Sequence, residues 1–220
     1  MGSRISVDVW LGDTSVHHVD GVGRATGWPS SALIAATEVV CPRGEGRCRP
    51  SRLADGRSRC PDCGAWWSAS QVARHAGVAR ADQSVGIDVE DRRRRPAAFR
   101  RASGWCGVRI EAAEQWTQAE AWWKAAGLGS RAPRAGEIPL ADSWVEGWQA
   151  TRDRRWWLHT SSTPFPWSLA LPSEDDGAPP ELSCHDLDFD HRGHPLDSFD
   201  GPGESNGLPA PVLQISEEGF

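Results

Sequence analysis

Three things are scarce in this chain: lysine, long apolar runs and internal repetition. Lys124 is the only lysine among 24 basic residues; the other 23 are arginines. Arginine and lysine are not interchangeable where a compact, titratable donor is needed, so one surviving lysine marks its neighbourhood. No run of 18 or more apolar residues occurs, which excludes a membrane-spanning helix. The N-terminus lacks a charged segment followed by an apolar stretch, so no signal peptide is expected. Without a secretory leader, the six cysteines are expected to be reduced, in a cytoplasmic protein. No repeat is visible in the residues themselves.

At 220 residues the chain is long enough for one large domain or two small ones, each with a modest core. Charge is unevenly spread. Residues 174–220 hold 12 acids against the single base Arg192, a net of −11. Residues 1–173 hold 23 bases and 18 acids, a net of +5. A mildly basic body suits a phosphate-rich ligand and an acidic protein partner. The segment 174–220, acidic and rich in Pro and Gly, has the composition of a disordered tail.

Along the body, Ile5 to Leu11 alternates and reads as an opening strand. Residues 12–30 read as loop, Ser31 to Val40 as a short Ala-rich helix, and 41–65 as irregular. Trp66 to Val89 reads as strand-rich. Asp91 to Arg101, with Arg92 to Arg95, Arg100 and Arg101, reads as charged surface. Ile110 to Gly127 is the strongest helix, with Glu111 and Glu114 in its first turn and Gly127 at its C-terminal cap. Ser143 to Trp148, Trp156 to His159 and Trp167 to Leu171 read as short strands.

Two motifs carry chemistry. Val85-Gly86-Ile87-Asp88-Val89-Glu90 reads as a buried strand whose carboxylates, two residues apart, share a face. In Trp116-Thr117-Gln118-Ala119-Glu120-Ala121-Trp122-Trp123-Lys124-Ala125, residues Trp116, Glu120 and Lys124 form one helical stripe. Two acids on a strand, with a third acid and an ammonium on a helix, can hold a hard divalent cation against a phosphate. Taken singly, each is the sort of charged residue that ends a strand or decorates a helix surface; Glu120 and Lys124 would then be an ordinary i,i+4 pair worth about 0.3–0.5 kcal/mol.

Together and in this order, Gly86 to Glu90 and Trp116 to Lys124 resemble the signatures of the 4′-phosphopantetheinyl transferases, of the longer, pseudo-dimeric surfactin-synthetase-activating type. That family carries a Gly-Val/Ile-Asp-hydrophobic-Glu strand followed by a Trp-Ser/Thr/Cys-x-Lys-Glu-Ala-x-x-Lys helix. The resemblance extends more weakly to Val7-Asp8-Val9-Trp10-Leu11, covering residues 5 to 172. It implies an α+β fold of two similar halves packed as a pseudo-dimer, residues 1–85 and 86–173, with the site at their junction. It also implies Mg²⁺-dependent transfer of 4′-phosphopantetheine from coenzyme A to a serine of an apo acyl or peptidyl carrier protein, by a monomer that binds neither nucleic acid nor membrane. Asp88, Glu90 and Glu120 would be the Mg²⁺ ligands. Glu120 would also be the base for the incoming serine, and Lys124 would stabilise the pyrophosphate. Trp116, Trp122 and Trp123 are expected to be packing residues.

The chain departs from that pattern in places. Ala119 stands where the family has lysine. Ser70 and Gln71 fall where the family has a Ser-His pair that binds a coenzyme A phosphate, and an amide cannot become cationic. His75 lies close by in sequence but is not expected to take that role. The interval between the two motifs is short for the family, which leaves carrier recognition in doubt. A Gly-Lys/Arg-Pro element that helps hold the nucleotide could be Gly46-Arg47-Cys48-Arg49-Pro50 or Asp55-Gly56-Arg57; the residues alone do not decide.

Cys60-Pro61-Asp62-Cys63-Gly64 looks like half a zinc knuckle, which Cys41 and Cys48 could complete. The wide interval between Cys41 and Cys48 is not the compact pair of a zinc ribbon, so free thiols are the preferred expectation. Cys106 and Cys184 carry no motif. Three functions therefore compete: an active transferase, which is favoured; a weakened relative that binds a carrier or other partner without turnover; and a zinc-ribbon nucleic-acid binder using Arg92 to Arg95.

Overall fold

The computed structural model describes residues 5–13, 33–35, 37–44, 46–93, 95–129, 131–173 and 177–187. It is an α+β protein, mostly sheet. Among the described residues, ten strands and two helices follow one another as β1 (Ser6–Asp13), β2 (Ser51–Arg52), β3 (Ser58–Arg59), β4 (Trp66–Val72), β5 (His75–Ala81), β6 (Gly86–Val89), α1 (Pro96–Cys106), α2 (Ala113–Ala125), β7 (Gly147–Ala150), β8 (Trp156–Ser161), β9 (Trp167–Pro172) and β10 (Glu181–Asp186). Among the described residues, no helix is long and apolar enough to cross a membrane.

The strands form a six-stranded sheet of order β10-β1-β5-β4-β3-β2 and a four-stranded sheet of order β6-β9-β8-β7. The two share a topology that the residues do not reveal. In each, the opening strand (β1 or β6) pairs antiparallel with the last (β5 or β9), which pairs with the one before it (β4 or β8), and that one with its predecessor (β3 or β7).

Period-two alternation builds the layers. Val7, Val9, Ala79 and Ala81 of the larger sheet and Ile87, Val89, Trp167, Leu169 and Leu171 of the smaller one fill a common core between them. The opposite face of the smaller sheet is covered by both helices through Phe99, Ala102, Cys106, Ala121, Trp122 and Ala125. The opposite face of the larger sheet carries a third cluster, in which Trp10, Trp67 and Val78 pack with Leu33, Ile34 and the cysteines Cys41, Cys48 and Cys60.

Four local expectations change. Residues 96–106 are helix rather than charged surface: Pro96 sits in the first turn, where its missing N–H costs nothing, and Phe99, Ala102 and Cys106 form a buried stripe. The strongest helix begins at Ala113, so Glu111 precedes it and pairs with Arg109 at 2.7 Å. Gln115 closes that helix start instead, its Oε1 accepting from the N–H groups of Glu111 (2.9 Å) and Ala112 (3.3 Å). The expected strand at Ser143 to Trp148 lies at Gly147–Ala150.

The fourth change concerns the acidic segment. Glu181–Asp186, assigned to a disordered tail by composition, forms β10 and adds a parallel strand beside β1. Its side chains are almost all exposed, so backbone pairing holds it, helped by Leu182 against the common core and by His185 stacked on Trp10. Residues 188–220, and most of the loop expected at 12–30, lie outside the described residues. Within the expected helix at Ser31 to Val40, residues 33–35 form a single helical turn with Leu33 and Ile34 buried, whereas residues 37–40 are not helical and Val40 bridges to Arg47.

Candidate functional site

Strand β6 is an edge of the smaller sheet, and its outward-facing polar groups are taken by side chains from both neighbours. The Ile87 N–H donates to Ser68 Oγ on β4 (3.1 Å), and the Ile87 carbonyl accepts from Lys124 Nζ on α2 (3.0 Å). Two layers thus meet along one short strand, where an unpaired edge would otherwise be exposed.

Helix α2 lies across β6 with the opposite polarity. Gly86 faces Ala121 and Ala125 so closely that a Cβ would sit 2.0 Å from the Ala121 carbonyl oxygen and 2.6 Å from the Ala125 nitrogen. Beside that contact, Lys124 Nζ reaches Asp88 Oδ1 at 2.7 Å. Two turns back along the helix, Trp116 Nε1 donates to Glu90 Oε1 at 2.9 Å. The glycine is what allows this approach, and the approach brings the helix stripe onto the strand's acids.

Asp88 is almost fully buried. Its Oδ1 accepts from Lys124 Nζ and from Ser70 Oγ, each at 2.7 Å, while its Oδ2 is buried with no partner. Glu90 is held by Trp116 and by Arg95, whose guanidinium lies 3.1 Å from Oε2. Burial first, and then the charge on Asp88, push the Glu90 carboxyl up to about 7, with Arg95 opposing. Glu120 is also pushed up to about 7, by burial first and next by Asp88, with Lys124 opposing. Three acids therefore share one low-dielectric region with too few cations to neutralise them.

A cavity of about 250 Å³ opens beside them, lined by Glu120, Lys124 and Trp123 from α2 and by Arg52, Gly56, Arg57, Trp67 and Ser68 from the larger sheet and its loops. Arg57 is braced in it: its Nε donates to Asp55 Oδ2 at 2.8 Å, its Nη1 reaches Ser84 Oγ at 3.2 Å, and its guanidinium carbon lies 4.6 Å from the Trp66 ring centre. Of the two basic stretches left open above, Asp55-Gly56-Arg57 borders the cavity. Gly46-Arg47-Cys48-Arg49-Pro50 runs instead into the cysteine cluster.

No protein-family model matches the chain, and no curated protein matches it either.

The structure brings Asp88, Lys124 and Ser70 into direct contact, sets Glu90 and Glu120 within electrostatic reach, and leaves Gln71 aside. On β4 the alternation sends Trp66, Ser68, Ser70 and Val72 towards the smaller sheet. Gln71 shares a face with Trp67 and Ala69, which pack into the outer cluster. Ser70, expected to meet a phosphate, spends its hydroxyl on Asp88. Lys124 pairs with Asp88 across elements and acts on its helical neighbour Glu120 through charge. Ala119 is buried against the smaller sheet, a position that would leave a lysine ammonium unpaired. His75 stacks on Phe165, with ring centres 4.3 Å apart, away from the acids.

Several contributors escaped the sequence reading. Trp116 does more than pack, since its indole N–H orients Glu90. Ser68 and Arg52 gave no signal. Thr117 and Gln118 seat the helix through a buried hydroxyl–amide chain: Thr117 Oγ1 lies 2.7 Å from Ser168 Oγ, Gln118 Nε2 donates to Thr160 Oγ1 at 2.8 Å, and Thr160 meets Ser168 at 3.1 Å. Such a chain is stable only when every member is satisfied.

A hard divalent cation suits this donor set. Asp88 Oδ2 is an orphaned, buried oxygen, and burial makes Glu90 and Glu120 resist ionisation despite the opposing charges of Arg95 and Lys124. The acids are linked through their charges: among the described residues, the ligand atoms that all fall within 4.8 Å of one another are four cysteine sulfurs, not these carboxylates.

Proposed function

We propose that the protein transfers 4′-phosphopantetheine from coenzyme A to a serine hydroxyl of an apo carrier protein. The observation that carries this reading is the cavity between α2 and the larger sheet. In it, Lys124, Arg52 and Arg57 face an acid, Glu120, whose carboxyl is tuned near neutrality, beside the buried pair of acids on β6. The matching strand order of the two sheets supports the pseudo-dimeric transferase architecture implied by the motif resemblance.

Asp88, Glu90 and Glu120 would hold Mg²⁺, which when bound supplies charge neutralisation at the pyrophosphate. The chain's own groups do the rest. Arg52 and Arg57, which line the cavity, would bind the anionic nucleotide end. Glu120, half-way to protonation near neutral pH, accepts the proton of the carrier serine. The serine oxygen bonds to the β-phosphorus as the bond to the nucleotide oxygen breaks, and 3′,5′-ADP leaves as an anion stabilised by Lys124. Lys124 must first loosen its contact with Asp88, because the same ammonium holds the resting site together.

That contact also favours a second reading, a transferase-fold protein that binds coenzyme A and a partner without turnover. Mass spectrometry of apo carrier proteins incubated with the full chain, coenzyme A and Mg²⁺ decides between them. A mass gain of one phosphopantetheine, lost in Glu120→Gln, is the expected result. Bound coenzyme A with no gain on any carrier establishes the second reading, and no coenzyme A binding removes both.

A further inference from the structure

The outer face of the larger sheet carries a second candidate site, unconnected with the acids. Cys41, Cys48, Cys60 and Cys63 bring their sulfurs within 4.8 Å of one another. Cys41 Sγ lies 3.9 Å from Cys60 Sγ, and Cys48 Sγ lies 3.6 Å from Cys63 Sγ. Both distances are far beyond the roughly 2.05 Å of a disulfide. They match the edge of a tetrahedron drawn around a zinc ion, about 3.8 Å for zinc–sulfur bonds near 2.3 Å.

The backbone explains how an interval that looked too wide closes. Cys41 and Cys48 are drawn together by the Val40–Arg47 bridge, with Cys41 N–H donating to the Gly46 carbonyl (2.8 Å) and Cys48 N–H to the Val39 carbonyl (2.9 Å). The pair therefore sits at the base of a hairpin and not at the ends of an open loop. Cys60 and Cys63 occupy a second, tighter turn: Gly64 takes φ +79°, its N–H donates to the Cys60 carbonyl (2.9 Å), and the Cys60 N–H donates to the Ala65 carbonyl (2.8 Å). The N–H groups of Cys63, Asp62 and Arg49 converge on the Cys60 sulfur, and that of Ala65 on the Cys63 sulfur. N–H groups arranged in this way orient sulfur atoms as the outer partners of a metal site do. The two turns touch, since a Cβ on Gly44 would lie 3.0 Å from an Asp62 carboxylate oxygen.

We propose that these four cysteines form a closed, structural tetrathiolate zinc site. This reverses the expectation of free thiols, which came from interval length alone. Cys41, Cys48 and Cys60 are buried against Trp10, Trp67 and Leu33, which leaves no open coordination position of the kind a catalytic zinc requires. The site ties the segment 41–63 to the sheet, and that segment includes β2 and the Arg57 loop, which border the cavity. Zinc thus fixes the basic wall of the cavity without entering its chemistry.

The full chain, purified without chelator and analysed for metals, is expected to carry one zinc per chain. Cys106→Ser and Cys184→Ser retain it, and Cys60→Ser loses it. Because Cys60→Ser removes a fully buried group and can unfold the chain, the wild type gives the independent reading: Co²⁺ put in place of zinc develops the intense visible bands and thiolate charge-transfer absorption of a tetrahedral tetrathiolate. Four native thiols that react freely in metal-free, folded protein overturn the site, as do two disulfides or iron in place of zinc. None of these readouts depends on carrier modification, so the zinc site and the transferase reading can fail separately.

Discussion

Lys124, the only lysine in the chain, places its ammonium 2.7 Å from Asp88 Oδ1 and 3.0 Å from the Ile87 carbonyl, joining the helix to the edge strand at the point where the acids gather. The partners are unequally buried, with side-chain exposures of 30% for Lys124 and 7% for Asp88. Losing the lysine strands a buried carboxylate, whereas losing the carboxylate leaves an ammonium that can turn to water. Lys124→Met should therefore cost about 2–4 kcal/mol of stability and Asp88→Asn distinctly less. Urea unfolding of both variants at neutral pH checks the order; a larger loss in Asp88→Asn would refute it. Both should abolish carrier modification.

Glu120 gives a prediction in which stability and function move apart. In the native chain its carboxyl sits near 7 instead of the ordinary 4.5, chiefly through burial. Between those values the folded chain holds a proton that the unfolded chain has released, so this group's contribution to stability falls as pH rises and the penalty is complete above about 7. With divalent cations chelated, Glu120→Gln should match the wild type near pH 4 and exceed it by about 1–3 kcal/mol at pH 8. Transfer activity should be lost at every pH. Equal stabilities at pH 8 would show that Glu120 is not strained by its surroundings.

Two glycines, Gly86 and Gly104, separate close approach from mere flexibility. Gly86→Ala places a methyl group into the Ala121–Ala125 backbone of α2, an overlap that helix and strand can relieve only by moving apart. We expect a loss of about 3 kcal/mol or more, with Asp88 drawn away from Lys124. Gly104, inside α1, has nothing within 4 Å of its would-be Cβ, and Gly104→Ala should stabilise by about 0.5–1 kcal/mol through helix propensity. Thermal melts of the two variants test both signs at once.

Elements that declare themselves by periodicity were readable in the sequence, and those held by tertiary context were not. The stripe Trp116, Glu120, Lys124 and the pattern of Gly86 to Glu90 announced α2 and β6, although β6 is buried on both faces and its acids with it. Helix α1 was hidden by the arginines around it: Phe99, Ala102 and Cys106 are too few and too small to stand out beside Arg92 to Arg95, Arg100 and Arg101. Two of those arginines are structural, Arg92 Nη2 donating to the Ser162 carbonyl at 2.6 Å and Arg95 holding Glu90. That weakens the idea of a free nucleic-acid patch. Strand β10 was unreadable because its stability comes from the edge of β1, and no side-chain pattern reports an available edge. The site was half legible. Asp88, Glu90, Glu120 and Lys124 are charged groups in a recognisable order, but Trp116, Ser68 and Arg52 acquire their roles only when distant segments meet. The cysteines were judged by interval, and a hairpin makes the interval irrelevant.

His159 provides the last test, on the side of the smaller sheet that faces the larger one. Its ring stacks on Trp167 and meets the edge of Trp148, with centres 5.0 Å away in each case, and its Nδ1 is buried with no partner. Burial lowers its pKa below the ordinary 6.5, with Glu146 opposing. The unfolded chain therefore takes up a proton before the native chain does. Stability from this group is complete above about 6.5 and drains away as pH falls through the lower native value. The buried glutamates act in the opposite direction over part of this range, so the wild type alone is ambiguous, but the difference between wild type and His159→Phe isolates the imidazole. Phenylalanine keeps the ring contacts and removes the titration. The variant should therefore gain on the wild type progressively as unfolding is measured from pH 7 down to 5. Parallel curves over that interval would mean that the folded site accepts a charged imidazole, and that the aromatic stack does not exclude water from it.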